Sequence, residues 1–247
     1  MSRIGVPYFL TQHQPDVDYV IPFDVEVRAD LADEPGWSPL LPLYEAVAEA
    51  VAGDVAAGEC PAVITGDCTV ALGTVAGLQR GGLDPGIVWF DAHGDVQTME
   101  TTHSGFLGGM PLRVLVGYRP ELIAASLGLR AVPEERVVLV DARDLDPPEQ
   151  EYLSQAKMRR VALDELSQTL PEGPLYVHLD LDIVDPTELP DVRYPAPGGP
   201  SLAAVVESMH MLFGTGRVVG VGIACTWSED TVLSEEVRAG LASILPE

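Results

Sequence analysis

Asp91-Ala92-His93-Gly94-Asp95 follows the apolar run Gly86–Phe90, and Asp180-Leu181-Asp182 closes a second run, Leu175–Leu179. Residues two apart on an extended segment share a face. Asp91, His93 and Asp95 therefore converge at one strand end, and Asp180 and Asp182 at another. Four carboxylates and an imidazole brought together would repel one another and resist desolvation unless cations lay among them. The pattern points to a metal site with more than one ion. Carboxylate and imidazole together suit Mn, Fe or Zn, whereas Mg and Ca prefer oxygen alone. Two ions about 3.5–4 Å apart, sharing Asp91 and Asp180, would hold a hydroxide between them, a nucleophile at neutral pH. The competing explanation is that these aspartates cap turns at strand ends. It accounts easily for one such residue and poorly for five ligand types in two alternating arrays.

The elements that position these groups read as alternating short strands and helices. Residues 2–10 form a first strand, and a polar, proline-bearing stretch follows it. Further strands are expected at Pro61–Thr65, Gly86–Phe90, Arg136–Val140, Arg160–Ala162, Leu175–Ile183 and Arg217–Ala224. Helices are expected at Pro42–Ala57, Thr69–Leu78, Glu149–Met158, Leu202–Leu212 and Thr231–Leu245, with a helical turn at Asp164–Leu170. Apolar strands alternating with helices indicate one α/β domain over 1–247 with a mainly parallel sheet. The loops 94–111 and Pro186–Pro200 lack a clear period and are rich in Gly, Thr, Ser or Pro. Loops at the strand ends of such a sheet are where its chemistry gathers.

Fourteen Lys and Arg against 38 Asp and Glu give a formal charge of -24. A duplex binder must neutralise phosphates with cations, so nucleic acid is excluded as a partner. No run approaches 18 apolar residues and no signal peptide is legible, so a cytoplasmic protein without membrane contact is expected. Three cysteines, Cys60, Cys68 and Cys225, make no disulfide framework.

The chain resembles the ureohydrolase family of arginases, agmatinases and related amidinohydrolases. The resemblance is carried by Gly66-Asp67-Cys68, Trp89–Asp95, Thr98–Pro111, Asp144-Leu145-Asp146 and Leu179–Asp182 with Asp185-Pro186. It implies the three-layer arginase-like fold and two Mn(II) ions. Cys68, Asp91, Asp95 and Asp180 would hold the first ion, and Asp91, His93, Asp180 and Asp182 the second. Cys68 stands where most of the family has histidine, as in its N-hydroxyarginine-hydrolysing members, which segment 98–110 also resembles. A thiolate is softer than imidazole and favours Fe(II) or Zn(II). The alternative is an inert buried thiol beside a one-ion site.

Other departures concern the substrate. Gly108 replaces the family's proton-shuttling histidine, and Cys225 the glutamate that pairs with the substrate guanidinium. Gln97 and Phe106 replace asparagines of the segment that reads the α-carboxylate. Arginine is therefore not the expected substrate. Gln97, Ser104, Phe106, Asp146, Cys225 and Trp227 are the expected substrate contacts, Trp227 having core packing as its alternative. Asp95 would orient the nucleophile and move its proton, and His103 in the loop would exchange protons with solvent. His178 shares strand parity with Asp180 and Asp182 and would orient a carboxylate, the alternative being a buried histidine bonded to backbone. Trp89 reads as core.

The expected activity is hydrolysis of a C–N bond in a small guanidino or modified-guanidino compound of specialised metabolism, releasing urea or a substituted urea. Two alternatives stay open: a catalytically retired scaffold that binds a ligand or protein, and a hydrolase of a non-guanidine C–N bond. A homo-oligomer is expected from the resemblance.

Overall fold

Strands that are buried on both faces read as nearly unbroken apolar runs, and these do. In a computed structural model describing residues 1–224, 227 and 231–246, β1 is Ser2–Val6, β2 Val25–Glu26, β3 Pro61–Thr65 and β4 Gly86–Asp91. They are followed by β5 Val137–Asp141, β6 Arg159–Val161, β7 Leu175–Asp180 and β8 Val218–Ala224. The order across the sheet is β2-β1-β3-β8-β7-β4-β5-β6, with every neighbouring pair parallel. After β3 the chain skips two sheet positions to lay down β4, and β7 and β8 later fill the gap. Such a discontinuity leaves a crevice at the carboxyl ends of the strands.

Alternation divides the core in two. Val63, Ile87, Trp89, Val137, Leu139 and Tyr176 join one cluster with residues of α1 (Leu41–Ala56), α2 (Ala71–Arg80) and α3 (Pro111–Leu115). Ile64, Val88, Phe90, Val138, Val177 and Ile223 join the other with residues of α5 (Leu202–Gly214) and α6 (Glu235–Ala242). The helix between them, α4 (Pro147–Gln155), starts at a capping box made by Asp146 and Glu149. Asp91 and Asp180 have the parity of Trp89 and Tyr176, so both stand at the carboxyl rim on the α1–α2 side.

Several expected boundaries shift. The strand expected over 2–10 stops at Val6, before Pro7, and Tyr8–Phe9 pairs instead with Gln12–His13 in a small hairpin. Proline at position 7 has no N–H for the ladder. The edge strand β2 lies in the stretch expected to be irregular. The expected strand Leu175–Ile183 ends at Asp180, because that side chain accepts from the Asp182 amide and turns the chain. The last helix is Glu235–Ala242, opened by the Ser234 side chain accepting from the Val237 amide. Among the described residues no helix is long and apolar enough to cross a membrane.

Candidate metal centre

One device recurs at the ends of three strands. After β3, Asp67 Oδ1 accepts from the Thr69 amide at 2.8 Å. At the end of β4, Asp91 Oδ1 accepts from the His93 amide at 2.7 Å. At the end of β7, Asp180 Oδ1 accepts from the Asp182 amide at 3.0 Å. Each aspartate caps a local turn of the kind its short side chain favours. The capping role and the chemical role thus coexist in the same residues. At β7 the second oxygen faces the crevice, where Cys68 Sγ donates to Asp180 Oδ2 at 2.8 Å.

Ligand-type atoms fall into two overlapping sets. Cys68, Asp91 and Asp95 each offer an atom within 4.8 Å of the others, and so do Asp91, His93 and Asp182. Asp91 belongs to both. His93 Nδ1 lies 3.0 Å from Asp182 Oδ2 and 3.3 Å from Asp91 Oδ1. Asp95 has a left-handed backbone, φ 53°, a region Asp tolerates better than most residues. Its carbonyl accepts from the Arg113 amide at 3.1 Å, while its buried Oδ2 has no partner within the protein.

Buried acidic groups at close quarters set the electrostatics of the site. Burial first, then the charges of Asp91 and Asp180, pushes the Asp95 carboxyl well above its ordinary value. Burial and the charges of Asp182 and Asp91 do the same to Asp180. Burial and Asp91 raise Asp182 to about 6, against the opposing pull of His93. Burial and the neighbouring carboxylates push the Cys68 thiol well up. Burial alone would lower His93, but hydrogen bonds to Asp182 and Asp91 raise it to about 12. Burial also works to raise Asp91, and the hydrogen bonds and charge of His93 outweigh it and hold that carboxyl low. Divalent cations among these groups would supply the counter-charge that their burial calls for. The donor set of thiol, imidazole and carboxylates therefore fits a pair of such ions.

A cavity of about 340 Å³ opens over this floor. Of the residues expected to contact substrate, Gln97, Ser104, Phe106 and Asp146 line it, and so does His103. Gln97 is tied at both ends: Nε2 donates to Asp146 Oδ2 at 2.8 Å, and Oε1 accepts from Thr101 Oγ1 at 2.7 Å. Cys225 lies outside the described residues.

Two expected residues stand elsewhere. His178 does not reach a carboxylate. Its ring is fully buried, stacks on Trp89 at 3.7 Å, and bonds through Nδ1 to Tyr176 Oη at 3.2 Å. Gly222 of β8 makes room for this pair, since a Cβ there would sit 2.3 Å from Tyr176 Oη and 3.1 Å from the imidazole. Burial lowers the pKa of His178 to about 3, so it stays neutral. Parity set its face correctly, but Asp180 sits at the rim and His178 one step inward. Trp227 is equally remote: it is buried in the second core and donates from Nε1 to the Asp18 carbonyl at 3.1 Å.

Other residues bear on the site without a sequence signal of their own. Trp89 Nε1 donates to Asp91 Oδ2 at 3.1 Å. Arg143 pairs with Asp141 and donates to the carbonyls of Asp182 at 3.2 Å and Ile183 at 3.1 Å. It also reaches the Ala196 carbonyl at 2.5 Å, joining the Asp182 turn to the 186–200 loop. From that loop Tyr194 enters the cavity wall, as Phe9 does from the hairpin and Glu149 from α4.

Residues 9–226 match the model of the Arginase family. The chain is 34% identical to arginase of Bacillus subtilis over 173 residues, 64% of this chain and 58% of that one. It is 30% identical to N(omega)-hydroxy-L-arginine amidinohydrolase of Streptomyces lavendulae over 201 residues, 76% of this chain and 70% of that one. The crystal structure of Bacillus subtilis arginase aligns with a TM-score of 0.79 and 26% identity, over 98% of this chain and 95% of that one. Formimidoylglutamase of the same species shares the fold, with a TM-score of 0.74 at 14% identity. An α/β domain with an eight-stranded parallel sheet and a carboxylate-lined crevice at its carboxyl edge defines the class, and the chain belongs to the arginase family. The matched region spans about six-tenths of the Bacillus and Brevibacillus arginases, 58% to 61% of their length.

Proposed function

We propose that the protein is a binuclear-metal hydrolase that splits a C–N bond in a small guanidino or modified-guanidino compound, releasing urea or a substituted urea. The carrying observation is the pair of ligand sets that share Asp91 on the cavity floor. Cys68, Asp91, Asp95 and Asp180 would hold one ion, and Asp91, His93, Asp180 and Asp182 the other. Mn(II) is the metal the resemblance implies, with Fe(II) or Zn(II) as the alternatives a thiolate favours. Bound there, the ions would lower the pKa of water and offset charge developing at the reacting carbon.

The protein's own groups supply the rest. Asp95 Oδ2, buried and unpartnered, accepts a proton from the attacking water and returns it to the departing nitrogen. His103, exposed at the cavity mouth, exchanges protons with solvent. Asp146 and Gln97 hold the wall beside the substrate through their mutual hydrogen bond.

The test is an anaerobic metal titration followed by assay of urea and hydroxyurea release from a guanidino panel. Asp95→Asn is expected to weaken the ion it shares with Cys68 and to lose at least about 10²- to 10⁴-fold in turnover when both sites are saturated with metal, the usual worth of a positioned acid–base group. No turnover by Mn-, Fe- or Zn-loaded protein would refute the proposal. Substoichiometric metal, with no effect of Asp95→Asn, would indicate a retired scaffold.

A further inference from the structure

The mouth of the cavity differs in chemistry from its floor. Phe106 packs between Phe9, with ring centroids 5.9 Å apart and planes 22° apart, and Tyr194, 5.4 Å away at 43°. Phe9 and Phe106 are half-buried, and Tyr194 is 41% exposed. Three aromatic faces left partly open around one cavity are unsatisfied apolar surface of the kind that marks a ligand subsite.

No Lys or Arg is among the described residues lining the cavity, whereas Asp67, Asp146 and Glu149 stand on its walls beyond the metal floor. A substrate carboxylate would meet like charge there without a cationic partner. Gln97, the amide that could read a polar end group, is held in place by one bond to Asp146 and one to Thr101 and carries no charge to pair with a carboxylate. Arg193 lies over the Phe9 ring, 4.4 Å from its centroid, and does not line the cavity.

Gly108 completes the pattern. A Cβ built there would sit 2.3 Å from the Phe106 ring. A side chain at 108 and the observed position of Phe106 are therefore mutually exclusive. The glycine is what lets the ring lie across the mouth.

We infer that the cavity selects guanidines carrying a short aromatic or apolar substituent without a carboxylate, with Phe106, Phe9 and Tyr194 as the specificity-determining residues. The inference rests on the reading of the floor as a guanidine-hydrolysing centre. In the reaction, water oxygen bonds to the guanidinium carbon and the C–N bond to the substituted nitrogen breaks. Both water protons finish on that nitrogen, giving R–NH3⁺ and urea from R–NH–C(NH2)2⁺.

The experiment compares benzylguanidine, agmatine and L-arginine with the metal-loaded protein, by turnover and by calorimetric binding. Benzylguanidine is expected to exceed both others by about tenfold in kcat/KM and in affinity, the scale of added aromatic contacts. Phe106→Asn is expected to abolish that margin, bringing benzylguanidine down to the level of agmatine measured with the same variant. Tyr194→Ser, at an exposed position where folding is not at stake, is expected to reduce it. Equal or better handling of agmatine or L-arginine by the unaltered protein, or a margin that survives both substitutions, would overturn the inference. If no compound is turned over, the hydrolase reading fails, and the binding preference with its response to the two variants still decides the inference.

Discussion

Trp89 offers the sharpest test of how the sheet governs the site. Its indole Nε1 donates to Asp91 Oδ2 at 3.1 Å, and Asp91 is the residue common to both ligand sets. The indole is itself fully buried and stacked on His178, with ring centroids 3.7 Å apart. Trp89→Phe keeps a ring on His178 and deletes the donor. A hydrogen bond to a charged, buried acceptor contributes about 1.5–3 kcal/mol. If that energy serves to orient Asp91, its loss weakens metal binding by about 10- to 100-fold. The smaller ring also leaves a void, which lowers the stability of the metal-free fold by about 1–3 kcal/mol. Mn(II) calorimetry and urea denaturation of metal-free protein separate the two effects. Metal dissociation constants within about twofold of the unaltered protein, with stability alone reduced, would show that the indole only packs.

Other outcomes follow from the same geometry. Cys68→His is expected to raise preference for Mn(II) over Zn(II), and Cys68→Ser to weaken one ion selectively; competition titrations check both. An anomalous-scattering structure of the loaded protein with the Cys68 sulfur more than about 3.5 Å from every ion would refute that role. The folded pKa of Asp182 is raised from an ordinary 3.8 to about 6, chiefly by burial, so its contribution to metal-free stability is present below pH 3.8 and lost as pH rises through 6. Asp182→Asn is therefore expected to gain on the unaltered metal-free protein as pH rises through that window, measured by thermal melting in chelator. Gly73→Ala puts a Cβ 2.7 Å from the Tyr44 carbonyl where α2 crosses α1, and is expected to destabilise the fold by about 1–3 kcal/mol in denaturant titration.

Parallel sheet, acidic strand ends and family were all legible in the chain, because each depends on local pattern. Alternation along Gly86–Asp91 and Leu175–Asp180 fixes which residues share a face, and burial on both faces makes those strands continuously apolar. The same local chemistry, a short acidic side chain accepting from the amide two residues on, ends the strands where the candidate ligands begin. Periodicity carries no depth, however. His178 has the parity of Asp180, yet lies one residue pair further from the rim, against Trp89 and Gly222. Trp227 follows a strand end and nevertheless turns into the opposite core.

What tertiary structure alone decided is how segments distant in sequence meet. Cys68 and Asp180 are 112 residues apart and bond across the crevice because β8 and β7 fill the gap between β3 and β4. Phe9 and Tyr194 come to the cavity mouth from a hairpin and a loop without periodicity, so no local signal marks them. Arg143 reaches four main-chain carbonyls, a role fixed by where the turn after β7 and the 186–200 loop happen to pass. The sequence determined which groups stand at the strand ends, since that is set by pleat and burial over a few residues. The sheet order determined which of those ends are neighbours and what closes over them, since long-range packing is not encoded in any one segment.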